Sequence, residues 1–425
     1  MRRGFGLARI NSIKTGVALL SLVVLLVVSG GASLDLAGAQ EGAPESGASG
    51  PPPEATPNTQ ASGPPEIQAE AWALVDAESG LYLAGENADE QLPMGSVTKI
   101  MTALVVLEEG VDLDEEVTVS EEAESFVGGT YSNVGLILGE RVTVRDLLAA
   151  TLIPSGTDAA YALAEHVGDG SVGNFVEMMN DEAAAMGLED TNFETPAGLD
   201  TNGNYSSARD LAAMTRVALQ DPLFAEIVDT ADATITTQNR EIEFSNTNNL
   251  LYAYEQANGV KTGTSPQAGP CLVASATEGD ESYIAVVLDA AGEEYRFDAA
   301  RTALEYGFDY YEREPLARKG EVYEEIQPPF RREESVALIA AEDVPGPTGP
   351  GLEVERRVTA GEPPPAAKVG QELGTIEVLV DGESLGTSPL VAKRGYEEAS
   401  LWQKIRYWTS GAARSVSGWV SGLAS

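Results

Sequence analysis

The apolar positions of residues 67–313 follow strand and helix periods in turn. Two apolar runs, 71–76 and 81–84, flank the turn residues Glu78-Ser79-Gly80 and predict a β-hairpin. A run of helix-forming residues after Gly95 predicts a helix that ends before Gly110. Strands near both ends, with helices between them, predict an α+β domain. Further helices are predicted over 144–152, 158–187, 208–219 and 296–311, and further extended segments over 117–119, 142–144, 233–237, 259–264, 271–276 and 283–288.

The pattern changes after about residue 313, where prolines and charges separate short apolar runs. Asp381-Gly382 is a hairpin signal between two of these runs. Residues 314–395 are therefore predicted to form a small, separate, β-sandwich-like all-β domain. Its predicted strands lie at 336–339, 352–354, 376–380 and 389–391.

The last 30 residues, 396–425, carry a continuous apolar stripe. Its members recur at intervals of three and four residues, which predicts an amphipathic helix. Basic residues lie off the stripe with few acids nearby, so we interpret the helix as an interfacial membrane anchor. The alternative is a helix that packs on its own β domain or on a partner. The stripe consists of Leu401, Ile405, Trp408, Ala412, Val416, Trp419 and Leu423, and the basic residues are Lys404, Arg406 and Arg414.

The N-terminal residues 1–39 are typical of a secretory signal peptide. Four basic residues precede residue 15, an apolar core spans 17–28, and small residues at 37–39 form a cleavage site. An uncleaved signal anchor is the alternative. The Pro-, Gly- and Ser-rich residues 40–66 predict a disordered linker. The protein is therefore expected to be exported and to act on the outer face of the cytoplasmic membrane as a peripheral protein.

The chain is strongly acidic, with a net charge of −41. Residues 1–39 hold four of the 26 basic residues and one of the 67 acidic residues, so 22 basic and 66 acidic residues remain. A surface of this kind repels nucleic acid and anionic lipid over most of its area. Because the acids are spread over the whole chain, we interpret them as an adaptation for solubility or high salt.

The single cysteine and the single histidine limit the chemistry. Cys271 cannot form an internal disulfide, and no cysteine lies near the cleavage site to make a lipoprotein. A zinc site of several histidines is impossible, and neither a metal nor a cofactor is expected. His166 ends a helix-like run and is interpreted as a helix C-terminal cation. A nucleophilic serine would therefore need lysine as its base.

Three short motifs supply such a pair. Ser96 and Lys99 are three residues apart at a helix start, so their side chains share one face. Ser155-Gly156-Thr157 and Lys261-Thr262-Gly263 follow at 59 and 165 residues after Ser96. This set, in this order, is typical of penicillin-binding proteins and class A β-lactamases.

With these motifs the chain resembles the serine D-alanyl-D-alanine carboxypeptidases, the low-molecular-mass penicillin-binding proteins. The resemblance extends over about residues 67–425 and includes the stretches 204–210, 246–251 and 259–269. It implies a penicillin-binding/β-lactamase-like catalytic domain over 67–313, in which helices and a helical subdomain flank an antiparallel sheet. The small β domain and the amphipathic C-terminus also resemble that family.

The resemblance further implies an acyl-enzyme mechanism on cell-wall stem peptides that end in D-Ala-D-Ala, with inhibition by β-lactams. Ser96 would be the nucleophile and Lys99 its general base. The backbone N–H groups of Ser96 and Thr264 would form the oxyanion hole. Ser155 and Lys261 would relay a proton to the leaving D-alanine. The substrate-binding residues would be Lys261, Thr262, Gly263, Thr264 and Thr157.

Thr157 stands where the family usually has Asn, which puts substrate positioning in question but not the nucleophile. The alternatives are a DD-endopeptidase or β-lactamase of the same fold, or a non-catalytic cell-wall-binding protein. A lactamase would need a separately placed Glu, and the sequence assigns no residue to that role. The intact Ser96, Lys99, Ser155 and Lys261 argue against loss of catalysis.

Overall fold

The computed structural model describes residues 63–409. The predicted signal peptide, most of the predicted linker and residues 410–425 of the predicted anchor lie outside the described residues. In chain order, the elements up to residue 310 are β1 (Ala69–Asp76), β2 (Tyr82–Glu86), α1 (Lys99–Glu108), β3 (Glu116–Thr118), α2 (Glu121–Glu124), β4 (Arg141–Thr143), α3 (Val144–Leu152), α4 (Thr157–Val167), α5 (Val172–Ala185), α6 (Ala208–Ala218), α7 (Pro222–Asp229), β5 (Asp232–Thr236), β6 (Glu241–Ser245), α8 (Leu250–Ala253), β7 (Ala257–Ser265), β8 (Gly269–Glu278), β9 (Glu281–Ala290) and α9 (Tyr295–Tyr310).

A five-stranded antiparallel sheet in the order β2-β1-β9-β8-β7 organises this part of the chain. The predicted hairpin of β1 and β2 is confirmed, and Asp76 closes its turn by accepting a hydrogen bond from the Ser79 N–H at 2.7 Å. Strand β7 is the edge strand that ends the sheet opposite β2. One long side of β7 therefore has no neighbouring strand within the described residues.

The central strands bury both faces because their side chains alternate between two cores. Ala73 and Val75 of β1 face the core built around α1, whereas Trp72 and Leu74 face the core that includes α9. Helix α1 lies inside the first core, and every residue from Lys99 to Val106 is buried. This position places the start of α1 against the sheet.

The helical part consists mainly of α3 to α7, and most of these helices have a side-chain N-cap. The Thr143 hydroxyl accepts a hydrogen bond from Asp146 N–H at 3.1 Å at the start of α3, and Ser207 does the same for Asp210 N–H at 3.1 Å at the start of α6. The predicted 208–219 helix is thus confirmed as α6. The Asp221 carboxylate caps α7, which also has Pro222 in its first turn.

The C-terminal part forms a second β structure, which confirms the predicted all-β domain. One sheet has the order β11-β12-β16-β15-β14, and β10 pairs with β13. Tyr311 links it to the five-stranded sheet, because its hydroxyl donates to Leu83 O at 2.8 Å. The strands are β10 (Glu312–Ala317), β11 (Val322–Ile326), β12 (Val336–Ala340), β13 (Val344–Thr348), β14 (Val354–Ala360), β15 (Glu372–Val380) and β16 (Glu383–Ala392).

Some predicted elements differ from the structure. The helical pattern over 158–187 is divided into α4 and α5 by a turn at 168–171, where Gly168 and Gly170 weaken the helix. The strand predicted at 352–354 begins only at Val354 and continues to Ala360. Strands β10, β11 and β13 were not predicted, since proline, glycine or acidic residues interrupt their apolar positions. Strand β6 and helix α7 were missed although Ile242 and Phe244 alternate with polar residues in β6 and Phe224, Ile227 and Val228 form a buried face of α7. Helices α2 and α8, of four residues each, were also not predicted.

Residues 401–409 form a helix, the described part of the predicted C-terminal helix. Its apolar side chains are exposed, with Leu401 at 74%, Trp402 at 80% and Trp408 at 68%. Within residues 63–409, no helix has the length and apolar character needed to cross a membrane.

Candidate active site

Ser96 and Lys99 meet at the point where a 3₁₀ turn, Gly95–Thr98, passes into α1. The Lys99 Nζ lies 2.8 Å from the Ser96 Oγ. The predicted helix thus begins with a tighter turn, which brings the i and i+3 side chains closer together than an α-helical turn does. The pair has the geometry of a nucleophile and its base.

Lys99 is completely buried, and burial lowers its pKa to about 7, an effect that the nearby Asp158 carboxylate partly opposes. Its Nζ also donates to Ala197 O at 3.1 Å. An amine with a pKa near 7 is neutral in a large share of molecules at physiological pH, so it can accept a proton. The structure therefore supplies the pKa that the sequence motif alone could not.

The turn at 95–98 fits directly against strand β7 because of two glycines. Gly95 has φ +55°, and a Cβ there would lie 3.0 Å from Thr264 N. A Cβ on Gly263 would lie 2.4 Å from Met94 O. Since no side chain intervenes, the backbone at Ser96 and the backbone at Thr264 are adjacent, as an oxyanion hole made from both N–H groups requires.

Lys261 lies on β7 and is also buried, with its Nζ donating to Thr262 O at 3.1 Å. Burial holds its pKa well below the usual value, and the neighbouring cations of Lys99 and Arg296 lower it further. The structure thus brings Lys261 within electrostatic reach of Lys99. In the free protein, burial and these neighbouring charges therefore disfavour the charged form of Lys261.

Ser155 ends the loop between α3 and α4 in an unusual conformation. Its φ is +65°, a left-handed value that is costly for a residue with a Cβ. Its hydroxyl is buried and has no hydrogen-bond partner among residues 63–409. A buried hydroxyl of this kind is available to a bound substrate.

Thr157 and Asp158 begin α4 and hold the segment 132–136 beside it. The Thr157 N–H donates to Ser132 O at 2.8 Å, and the Asp158 carboxylate accepts from Val134 N–H and Leu136 N–H at 3.1 and 3.0 Å. The Thr157 side chain is buried. The residues at the start of α4 therefore hold segment 132–136 in place, and this segment forms one side of the site.

An ion pair between Arg240 and Glu140 stabilises the loop at residues 135–140, which continues from segment 132–136. Glu140 is buried and receives two hydrogen bonds from Arg240, at 2.9 and 3.0 Å, and these bonds lower the pKa of the Glu140 carboxyl. Arg240 also donates to Gly135 O. The β5–β6 hairpin, which carries Arg240 at its turn, thereby anchors the loop from 135 to 140.

Thr262 is connected to the segment that carries Ser155. The hydroxyls of Thr262 and Thr247 are 2.6 Å apart, and Thr247 N–H donates to Ile153 O at 3.2 Å. Asn248, in the same stretch, donates from Nδ2 to Gly259 O at 2.7 Å. The stretch 246–248 thus joins the β7 edge to the loop before α4. The three motifs, at 96–99, 155–157 and 261–263, therefore lie around one region.

Arg296 is the residue of this region that the sequence analysis did not find. It lies on α9, with a side chain only 11% exposed, and its Nη1 donates to Thr264 Oγ1 at 2.6 Å and to Gly263 O at 3.1 Å. Burial lowers its pKa, but a guanidinium stays charged at physiological pH. The only sequence signal was an arginine at the start of the helix that follows the sheet.

The remaining candidate groups lie elsewhere or are inert. His166 is in the last turn of α4, the end opposite Thr157, with its Nε2 3.7 Å from the Glu115 carboxylate. Cys271 is buried, and burial raises the pKa of its thiol to about 12. Among residues 63–409, no group of three or more His, Cys, Asp or Glu side chains is arranged to hold a metal.

The site therefore combines a serine with a buried lysine 2.8 Å away, a close approach of the backbones at Gly95 and Thr264, and an edge strand that carries a second buried lysine. This arrangement is typical of a serine hydrolase. Comparison with known proteins assigns the family more closely.

Residues 58–292 match the family model described as "D-alanyl-D-alanine carboxypeptidase", and residues 311–398 match that of the penicillin-binding protein 5 C-terminal domain. D-alanyl-D-alanine carboxypeptidase DacF of Bacillus subtilis (strain 168) is 33% identical over 79% of this chain and 87% of its own length. For DacC of Escherichia coli (strain K12) the values are 34%, 83% and 90%.

Solved structures agree. Penicillin-binding protein 5 from Haemophilus influenzae has a TM-score of 0.63 and 33% identity, over 79% of this chain and 99% of that one. The Streptomyces K15 DD-transpeptidase has a TM-score of 0.56 and 37% identity, over 58% of this chain and 99% of that one. The chain belongs to the D-alanyl-D-alanine carboxypeptidase family of serine hydrolases. The family, fold and enzyme class predicted from the sequence are confirmed.

Proposed function

We propose that this carboxypeptidase removes the terminal D-alanine of cell-wall stem peptides through an acyl-enzyme on Ser96. The observation that carries the proposal is the 2.8 Å contact between Ser96 Oγ and a fully buried Lys99 whose pKa is about 7. In acylation, Ser96 Oγ forms a bond to the carbonyl carbon of the D-Ala-D-Ala peptide bond, and its proton passes to Lys99 Nζ. The C–N bond then breaks, and the nitrogen leaves as free D-alanine.

The developing oxyanion would be stabilised by the N–H groups of Ser96 and Thr264. The close fit of Gly95 and Gly263 supports this role, because it allows the two backbones to approach without intervening side chains. Such donors are fixed before the reaction and need no reorganisation in the transition state.

The leaving nitrogen must gain a proton, and Ser155 and Lys261 are the groups that we propose for its delivery. The orphaned Ser155 hydroxyl and the depressed pKa of Lys261 both favour proton transfer over a static structural role. Hydrolysis follows when a water molecule attacks the acyl carbon and gives a proton to Lys99, which is neutral again once its first proton has passed to the leaving nitrogen through Ser155 and Lys261. The bond from the acyl carbon to Ser96 Oγ then breaks, Ser96 Oγ takes the proton from Lys99, and the shortened peptide leaves with a free carboxylic acid group. Both steps balance without a metal or a cofactor.

The free carboxylate of the substrate would bind at the end of β7. Arg296 presents its guanidinium there, next to the Thr264 hydroxyl, and the Thr262 hydroxyl lies on the same strand. A charged donor suits a carboxylate better than hydroxyls alone. The peptide backbone would add along the edge of β7, with Lys261, Gly263 and Thr157 lining its course.

Labelling with a fluorescent penicillin, together with an assay of D-alanine release from a peptide ending in D-Ala-D-Ala, tests the proposal. Ser96→Ala should lose both signals. Ser245→Ala is the matched control, because Ser245 lies on β6 and bonds to Asp232 at 2.7 Å. Label that survives in Ser96→Ala would contradict the nucleophile, and labelling without D-alanine release would contradict the activity.

For the whole chain we propose a signal peptide at 1–39, a linker at 40–66, the catalytic domain at 67–313, the β domain at 314–395 and a membrane-anchoring helix at 396–425. The protein would then act at the outer face of the cytoplasmic membrane. The exposed Leu401, Trp402 and Trp408 support an anchor, because apolar and Trp side chains are stable at the lipid interface.

Co-sedimentation with lipid vesicles tests the anchor. Replacing Ile405, Trp408 and Trp419 with Ser should release the mature protein from the vesicles, while penicillin labelling continues. A form that ends near Lys393 should behave in the same way. Equal pelleting of wild type and variants would contradict anchoring by this helix.

A further inference from the structure

The helix at 401–409 contacts one loop of the β domain, residues 328–334, between β11 and β12. The rings of Phe330 and Tyr407 pack edge-to-face with centroids 5.5 Å apart. The Arg332 guanidinium lies 4.0 Å from the centre of the Tyr407 ring, and Arg331 donates to Glu397 O at 3.0 Å. The loop and the helix therefore form one surface, which we name the 330/406 surface.

Two arginines of this surface have no carboxylate partner among residues 63–409. Arg331 is paired with Glu334 at 2.9 Å and Lys404 with Glu398 at 2.7 Å, but no such pair holds Arg332 or Arg406. Both are exposed, and both line a shallow pocket of about 210 Å³ between the loop and the helix. The other lining residues are Phe330, Arg331, Glu333, Glu334, Gln403 and Tyr407.

The apolar side chains of the helix lie next to this pocket. At 100° per residue, Leu401, Trp402, Ile405 and Trp408 cover one face, and Arg406 borders that face on the side that leads to the loop. An amphipathic helix in a bilayer interface places the residues that border its apolar face at the level of the phosphates. Arg332 stacks on Tyr407, which lies on the side of the helix turned away from the apolar face, and it lines the same pocket as Arg406.

We propose that Arg332 and Arg406 form a binding site for the phosphate of an anionic phospholipid, so that the β-domain loop takes part in membrane docking. The proposal rests on the membrane anchor proposed above. The occupant follows from charge complementarity, since two arginines without a carboxylate partner in the described part of the chain share one pocket, and one of them, Arg406, borders the apolar face. Glu333 opposes the site, because its exposed carboxylate is also at the pocket.

The test measures partitioning of the mature protein into vesicles of phosphatidylcholine, with and without phosphatidylglycerol, at fixed ionic strength. A basic residue at an anionic surface contributes about 1 kcal/mol, or about fivefold in partitioning. Arg332→Gln and Arg406→Gln should therefore each weaken binding to the anionic vesicles by about fivefold and leave binding to neutral vesicles unchanged. Glu333→Gln should strengthen binding to the anionic vesicles.

Arg318→Gln is the matched control, because Arg318 is an exposed arginine of the same domain that is paired with Glu314 at 3.1 Å. Penicillin labelling of every variant checks that it is folded. Equal losses in Arg332→Gln and Arg318→Gln would overturn the site and reduce the effect to net charge. Equal binding of wild type to neutral and anionic vesicles would overturn the site but keep the anchor.

Two further outcomes separate the sources of failure. If wild type binds neither kind of vesicle, the proposed anchor fails and the lipid site fails with it. If inorganic phosphate, compared with chloride at equal ionic strength, abolishes the part of binding that depends on Arg332, the site is one for soluble phosphate and the lipid assignment is overturned. If the Arg332-dependent part of vesicle binding persists in phosphate, the assignment of a lipid phosphate is supported.

Discussion

The rate at which a penicillin acylates Ser96 should fall tenfold for each pH unit below about 7. Burial lowers the pKa of Lys99 to about 7, and only the neutral amine can accept the Ser96 proton. About half of the Lys99 side chains are then neutral at pH 7, and about one in a hundred at pH 5. A solvated lysine, with a pKa near 10.4, would be neutral in fewer than about one molecule in a thousand at pH 7. Burial therefore raises the fraction of Lys99 side chains that are neutral at pH 7, and so able to accept a proton, by roughly a thousandfold.

Asp158→Asn perturbs this pKa from a distance. The Asp158 carboxylate raises the pKa of Lys99, so its neutral isostere should lower that pKa and move the acid limb of the profile to lower pH. Asp221→Asn is the control, because Asp221 caps α7 and Asn caps a helix equally well. Its acid limb should coincide with that of wild type.

The assay is stopped-flow acylation by a chromogenic penicillin from pH 4.5 to 9 at constant ionic strength, with circular dichroism at each pH to check folding. A rate that is flat between pH 5 and 8, or that rises only near pH 10, would refute the assignment of Lys99 as a buried base. An acid limb that moves to higher pH in Asp158→Asn would refute the electrostatic cause.

Three other changes test the remaining roles. His166→Gln should alter D-alanine release less than about threefold, because His166 is at the far end of α4 beside Glu115; a thirtyfold loss with intact folding would contradict the lysine base. Arg296→Gln should cost about 2 kcal/mol, or roughly thirtyfold in kcat/KM, for a peptide with a free carboxylate, and much less for its amide; equal losses for both would contradict carboxylate recognition. Thr157→Asn should change KM more than the rate of penicillin labelling, and the reverse pattern would assign Thr157 to the acylation step.

The elements that could be predicted from the sequence are those whose pattern is local. The β1–β2 hairpin, α3 and the capped α6 follow from turn residues, apolar periods and a serine cap within one short segment each. The Ser96–Lys99 contact belongs to the same class, because a spacing of three brings both side chains to one face of a turn. The observed 3₁₀ turn changes the detail of that contact without changing its partners.

The features that were missed depend on residues far apart in the chain. Arg296 reaches Thr264 from 32 positions away, and no local period marks it. The fit of Gly95 against Thr264 depends on how the helix docks onto the sheet, which the motif does not encode by itself. The depressed pKa of Lys99 has the same origin, since the burial that lowers it depends on how distant segments, such as the one that carries Ala197, pack around the side chain.

The protonation states of the two buried lysines favour Arg296, rather than either lysine, as the proposed binding residue for the substrate carboxylate. Burial disfavours the charged form of both Lys99 and Lys261, and the positive charges of Lys99 and Arg296 lower the pKa of Lys261 further. Arg296 stays protonated whatever its neighbours do, so it is the permanent positive charge at the end of β7. Because Arg296 is paired with Glu293 at 3.1 Å, a substrate carboxylate at the proposed site would share that guanidinium with Glu293. Its negative charge would favour a proton on Lys261, whose pKa the Arg296 charge lowers, more than on Lys99, whose pKa is lowered by burial alone. The proposed substrate recognition and the proposed base activation are therefore compatible, because the charge assigned to the carboxylate is on a guanidinium and the assigned base is a buried amine.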